Sequence, residues 1–185
     1  MTHDQRSRKI SIVSHCILNQ NAKLEGIARW PGMIRPLMDV ISKSGVGLIQ
    51  MPCPEMLYEG ARRFDKSVEQ YRCAAFVRLC DEIASEIVDQ VEDYIRNGYK
   101  ANVILAIDGS PSCGYNLTQS APGWRGLLTD QLEKVRYVKG KGVLMEILER
   151  KLKERSIEIP FLGVPELSEL GSMEATVDKL QALVG

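Results

Sequence analysis

The chain has 185 residues, 44% of them hydrophobic, with 24 Lys and Arg against 24 Asp and Glu. That length buries one substantial core, and a formal net charge of zero excludes the basic footprint that holds a phosphate backbone, so no extended nucleic-acid binding is expected. Residues 1–9 lack an apolar leader and no apolar run reaches membrane-spanning length, which predicts a cytoplasmic protein with no membrane association and with reduced thiols.

Residues 1–8 read as a flexible tail and 9–185 as one α/β domain. The pattern alternates: a strand over 9–14, a loop, a helix over 31–44 with Pro31 in its first turn and Gly45 just past its end, then a strand over 47–51. Ser67 and Gln70 have capping-box spacing, and Ile83, Ile87, Val91 and Ile95 carry an apolar stripe to Asn97, which predicts one long helix from 67 onward. Residues 101–107 are continuously apolar and β-branched, as a central strand covered on both faces should be. Residues 115–140 are polar, contain glycine and are weakly periodic, so they read as an excursion with at most a short hairpin. A helix over 143–155, a strand over 157–164 and a helix over 174–183 complete the chain. Strands and helices in turn imply βαβ units, hence a compact Rossmann-like three-layer sandwich around a mostly parallel sheet.

Cys16, Cys53 and Cys113 each follow a strand by a few residues. If the three strands are parallel neighbours, the thiols meet beyond one edge of the sheet, where open α/β sheets bind their ligands. Three thiolates on one metal site leave a coordination position open. The local contexts favour such a site over mere packing. Ser110-Pro111-Ser112-Cys113-Gly114 is a stiff turn, in which Pro111 sets φ, Gly114 permits positive φ and two hydroxyls flank the thiol. In Cys53-Pro54-Glu55 a carboxyl follows a thiol, and Glu55 is a candidate general base.

The strings Ser14-His15-Cys16-Ile17-Leu18…Glu25-Gly26, Cys53-Pro54-Glu55 and Ser110-Pro111-Ser112-Cys113-Gly114, in that order, resemble the DUF523 family, whose characterised members are thiouracil desulfidases. The resemblance spans roughly residues 9–163. It implies a 4Fe-4S cluster on Cys16, Cys53 and Cys113 with one iron not ligated by protein and free to take sulfur from a small-molecule thiocarbonyl substrate. It further implies Glu55 as the catalytic carboxylate and Ser110 as the catalytic serine, with Ser112 as the nearby alternative. The reaction implied is non-redox carbon–sulfur cleavage with release of hydrogen sulfide. The chain departs from the family at Ala22, where a second cysteine is common, at His15, at Asn19-Gln20-Asn21 and over 57–63. These changes surround the expected pocket and mark a divergent branch.

Two other readings compete. A non-catalytic sulfur or iron–sulfur carrier needs the cysteines but neither Glu55 nor the serines. A cluster-free thiol enzyme with Cys113 as nucleophile needs a histidine partner, and only His3 and His15 exist. Cys73 and Cys80 lie two helical turns apart and read as core packing. Arg62, Arg63, Lys139 and Lys141 read as solvated surface, Tyr115 and Trp124 as stacking platforms or loop anchors, and Gly140-Lys141-Gly142 lacks the rest of a P-loop. Neither the oligomeric state nor the physiological substrate is legible.

Overall fold

The computed structural model describes residues 4–127 and 134–185. Strands β1 (Lys9–Ser14), β2 (Gly47–Met51), β3 (Lys100–Ile107) and β6 (Phe161–Val164) form one sheet in the order β2-β1-β3-β6, and every pairing is parallel. A two-stranded antiparallel ribbon of β4 (Leu117–Ser120) and β5 (Arg136–Lys139) stands apart from it. This ribbon is the short hairpin expected in the excursion, whose residues 128–133 lie outside the described residues.

The helices are α1 (His15–Leu18), α2 (Arg35–Ser44), α3 (Pro54–Glu59), α4 (Val68–Tyr71), α5 (Ala74–Arg96), α6 (Val143–Glu154) and α7 (Met173–Val184). The chain steps from β1 to β2 in one direction across the sheet, then from β3 to β6 in the other. Right-handed crossovers therefore put α2 on one face and α5 with α6 on the other. The packing agrees: α2 lies against α7 and α5 against α6, and both α5 and α7 touch β3. The fold is thus α/β with a parallel central sheet between two helical layers, as the alternating pattern requires.

The reversal of direction creates a switch point between β1 and β3, where crevices open in doubly wound sheets. Val103 through Ile107 are at most 4% exposed. Each fully buried Val, Leu or Ile side chain contributes roughly 1.5–3 kcal/mol, so the core is anchored on the strand that leads to the site.

Several boundaries differ from expectation. Helix α2 begins at Arg35, with Pro36 in its first turn, so Pro31 belongs to the preceding loop; Gly45 does close the helix, at φ 66°. The expected long helix is two, α4 and α5, because Cys73 is extended and starts a new helix as its N-cap. The capping contact at its start is present, with the Ser67 N–H donating to Gln70 Oε1 at 3.0 Å. The last strand covers only 161–164 of the expected 157–164.

Candidate functional site

The three cysteines leave the sheet at neighbouring strand ends. Register aligns Ser14 with Met51 and Val13 with Leu105, so β1, β2 and β3 finish at one level. The Ser14 hydroxyl donates to the Leu105 carbonyl at 3.1 Å and fastens β1 to β3 just before the chain turns into α1, which carries Cys16. Pro52 and Pro54 flank Cys53, which is the N-cap of α3: its Sγ accepts the Met56 N–H at 3.4 Å. Cys113 sits in the turn after β3, and its carbonyl accepts the Ile107 N–H at 2.9 Å.

That turn is built by Ser110. Its Oγ accepts the N–H groups of Ser112 at 3.3 Å and Cys113 at 3.0 Å, local bonds of the kind that make serine a turn former. The start of α6 completes it: Val143 N–H donates to the Pro111 carbonyl at 3.0 Å and Leu144 N–H to the Ser112 carbonyl at 2.9 Å. Gly142 is required there, because a Cβ would lie 2.4 Å from the Ser112 carbonyl carbon. The Gly140-Lys141-Gly142 stretch therefore serves backbone packing. The expected positive φ at Gly114 is absent and falls on Gly109, at 90°. Gly114 is needed for space instead, since a Cβ would stand 2.2 Å from the Leu117 carbonyl oxygen.

The thiols share one electrostatic environment. Cys113 is buried, Cys16 and Cys53 half-buried. Burial pushes the Cys113 thiol well up, and the charges of Cys16 and Cys53 push it further. Burial also raises Cys16, helped by Glu166, Cys53 and Glu55 and opposed by Lys23. Cys53 is raised by burial and by Glu55, against the Met56 N–H and Arg63. Cys53 thus raises Cys16, and both raise Cys113, so the thiols resist ionising together unless a cationic group binds them. Among the described residues no group of three His, Cys, Asp or Glu side chains is arranged to hold a metal ion.

Glu55 is held at both oxygens. Ser112 donates its hydroxyl to Oε1 at 2.5 Å, and Arg63 Nε donates to Oε2 at 3.3 Å. Ser112 Oγ also stands 3.2 Å from Ser110 Oγ and 3.5 Å from Cys113 Sγ, so one hydroxyl touches carboxylate, serine and thiol. The Arg63 guanidinium additionally donates to the carbonyls of Ala22 at 2.7 Å and Gly60 at 3.2 Å. It is buried, a correction to its reading as solvated surface.

A cleft of about 190 Å³ opens at the strand ends, lined by Glu55 and Ser110 together with Lys23, Asp108, Glu166 and the aliphatic side chains of Ile27 and Leu170. Ser112, 1% exposed, lies behind this lining. Sequence reasoning missed Lys23, Asp108 and Glu166 and misread Arg63. Arg63 stands eight positions beyond Glu55, past the end of α3. Asp108 directly follows β3; its Oδ1 accepts the N–H groups of Tyr115 and Asn116 at 3.1 and 2.9 Å, shaping the next turn. Lys23 and Glu166 form an ion pair across two strand ends. For Asp108 and Glu166 a signal existed, since Asp108 directly follows β3 and Glu166 lies just past Pro165 after β6, both at the carboxyl ends of strands.

The remaining candidates are placed as follows. His15 lies in α1, and its ring nitrogens meet the amide nitrogens of Gln50 at 2.8 Å and Asn19 at 3.4 Å; burial lowers its pKa. It is not a partner for Cys113, and His3 is outside the described residues. Tyr115 stacks on Phe161 at 4.4 Å and donates to Glu149, while Trp124 donates to the Leu127 carbonyl, so both are loop anchors. Lys141 pairs with Glu149 at 2.5 Å. Cys80 is core, its thiol pushed up to about 12 mainly by burial, but Cys73 is exposed, a correction to its reading as packing.

No family model matches the chain. An uncharacterised protein of Methanocaldococcus jannaschii is 27% identical over 161 residues, covering 87% of this chain and 88% of that protein. The solved structure of a 4Fe-4S-dependent thiouracil desulfidase is similar over 88% of this chain and 95% of that chain, at 20% identity and a TM-score of 0.46.

Proposed function

We propose that this protein is an iron–sulfur-cluster-dependent desulfidase that removes sulfur from a thiolated pyrimidine or a similar small thiocarbonyl compound and releases hydrogen sulfide. The observation that carries the reading is that Glu55 and Ser110 line one cleft while Ser112 joins Glu55 to Cys113, the thiol most affected by the other two. The motif resemblance supports the same assignment. The donor set fits the cofactor: three thiols from three adjacent strand ends interact electrostatically, and a cluster places each thiolate on its own iron rather than all on one ion. Cys16, Cys53 and Cys113 would hold the cluster. When bound, it supplies an iron free of protein ligands, a soft Lewis acid suited to thiocarbonyl sulfur.

The chain's own residues supply the rest. Glu55 accepts a proton from water as the water oxygen adds to the thiocarbonyl carbon, and its carboxylate is aimed by Ser112 and Arg63. The carbon–sulfur bond breaks, sulfur leaves as sulfide and takes up two protons, and the carbon keeps the oxygen. C=S plus water becomes C=O plus hydrogen sulfide, with no net electron transfer. Ser110 offers a hydroxyl within the cleft, and Ser112 is a proton path between it and Glu55. Free cysteines suit a reducing cytoplasm. A cleft of about 190 Å³ suits a single small ring.

A carrier would use the thiols but has no need of a carboxylate held from two sides. The deciding experiment is anaerobic reconstitution with iron and sulfide, followed by iron counting, visible absorption and sulfide release from thiouracils. Glu55→Gln should load the cluster normally and lose turnover. A wild-type protein that stays colourless with all three thiols reduced overturns the reading.

A further inference from the structure

The loop after β1 and the turn after β6 bring Lys23 and Glu166 together at the wall of the cleft. Their side chains are 13% and 5% exposed. Glu166 is fixed from behind: its Oε1 accepts Gln20 Nε2 at 2.7 Å, and the same amide nitrogen donates to the Cys16 carbonyl at 2.8 Å. Gln20 Oε1 in turn accepts the Arg29 N–H at 3.2 Å, so this buried amide is used at both ends. A desolvated ion pair adds little stability over apolar residues of the same volume. One that lines a cleft and has its own buried support is better explained by what enters the cleft.

Lys23 has capacity to spare. An ammonium carries three N–H donors, and among the described residues its only hydrogen-bond partner is Glu166. Ile27 and Leu170 line the same cleft.

We propose that Lys23, oriented by Glu166 and Gln20, is the substrate-binding and specificity residue of the cleft. It donates to a second acceptor on the substrate, a carbonyl oxygen or ring nitrogen conjugated with the thiocarbonyl carbon. This deepens the desulfidase reading and rests on it. The substrate class narrows to conjugated cyclic thiocarbonyls that carry such an acceptor, and simple thioamides are excluded. As water adds to the carbon, negative charge moves onto that acceptor, and the Lys23 contact tightens.

The test measures calorimetric binding of uracil, which needs no turnover, beside sulfide release from thiouracil and from thioacetamide. Lys23→Met should weaken uracil binding about tenfold or more, the scale of one lost hydrogen bond to a charged donor. Lys23→Arg should restore part of it. The double variant Lys23→Met with Glu166→Gln removes the unpaired buried carboxylate, so a folding defect in the single variant is recognised by circular dichroism and bypassed. Thioacetamide, which lacks the second acceptor, should be turned over poorly by wild type. Equal uracil binding by wild type and the double variant overturns the role of Lys23 and leaves the desulfidase reading standing. Lys23-dependent binding with no sulfide release from the reconstituted wild type does the opposite. No uracil binding by wild type overturns the role of Lys23, and no sulfide release from the reconstituted wild type overturns the desulfidase reading.

Discussion

Arg63 donates to Glu55 at 3.3 Å from a guanidinium whose side chain is 3% exposed, and the same guanidinium is anchored on the carbonyls of Ala22 and Gly60. The carboxylate is itself only 12% exposed. Removing one partner of such a pair leaves a buried charge without compensation. Arg63→Met should therefore lower stability by about 3–5 kcal/mol in urea denaturation. Arg63→Lys, which keeps the charge but not the three-way fork, should lose less. Equal stability of Arg63→Met and wild type would contradict the clamp.

Ser112 supplies the other half of the clamp and contacts the Cys113 sulfur. In the reconstituted protein, Ser112→Ala should cut sulfide release because Glu55 loses the hydroxyl that aims it, and Glu55→Gln should cut it by about 10²–10⁴. Both variants should carry as much iron as wild type. A Ser112→Ala protein with full turnover assigns the serine role to Ser110 alone.

Gly142 packs its Cα against the peptide between Ser112 and Cys113. Gly142→Ala should cost about 1–3 kcal/mol by overpacking and displace the Cys113 turn. The urea midpoint and the iron content after reconstitution check the two effects separately.

The metal-free protein should lose stability on the alkaline side. Burial raises the folded-state pKa values of Cys16, Cys53 and Cys113 above those of the unfolded chain. The native state thus holds protons that the unfolded state has released, and stability falls with rising pH. The loss should begin near pH 8.5, roughly the unfolded thiol value, and continue towards the raised folded values. Thermal melts between neutral and alkaline pH measure it, and a triple Cys→Ser variant should flatten the slope.

Alkylation should distinguish the five thiols. Cys73 is exposed, and the Tyr58 hydroxyl at 3.6 Å together with the N–H groups of Phe76 and Ala75 lowers its pKa against partial burial. It should react with iodoacetamide first, while buried Cys80 and Cys113 react last. Peptide mass mapping over time gives the order. Early labelling of Cys113 would mean that the turn opens in solution.

Much of this architecture was legible because its signals are local. The continuous apolar run ending at Ile107 marks a strand buried on both faces, and the placement of Cys16, Cys53 and Cys113 just beyond strands puts the thiols at one sheet edge once the strands are parallel. Glu55 stood out as the carboxyl that follows Cys53-Pro54, and Ser110 and Ser112 as the hydroxyls of the Cys113 turn, whose catalytic roles came from the motif resemblance. The break at Cys73 was not legible, since the apolar stripe from Ile83 onward continues a helix without revealing where it starts. Arg63 was misread for a different reason: a charged residue in a polar stretch is usually solvated, and only the approach of the Ala22 loop buries it.

By itself the sequence determined the βαβ order, the parallel sheet and the three thiols with their neighbouring carboxylate and hydroxyls, because each is set by periodicity or by adjacency along the chain. Only the tertiary structure decided how Glu55 is held from both sides, that Lys23 meets Glu166 at the cleft wall and that Gly142 seats the Cys113 turn. Those contacts join residues between 8 and 143 positions apart, and such pairings are set by how the strand ends converge, which no local pattern encodes.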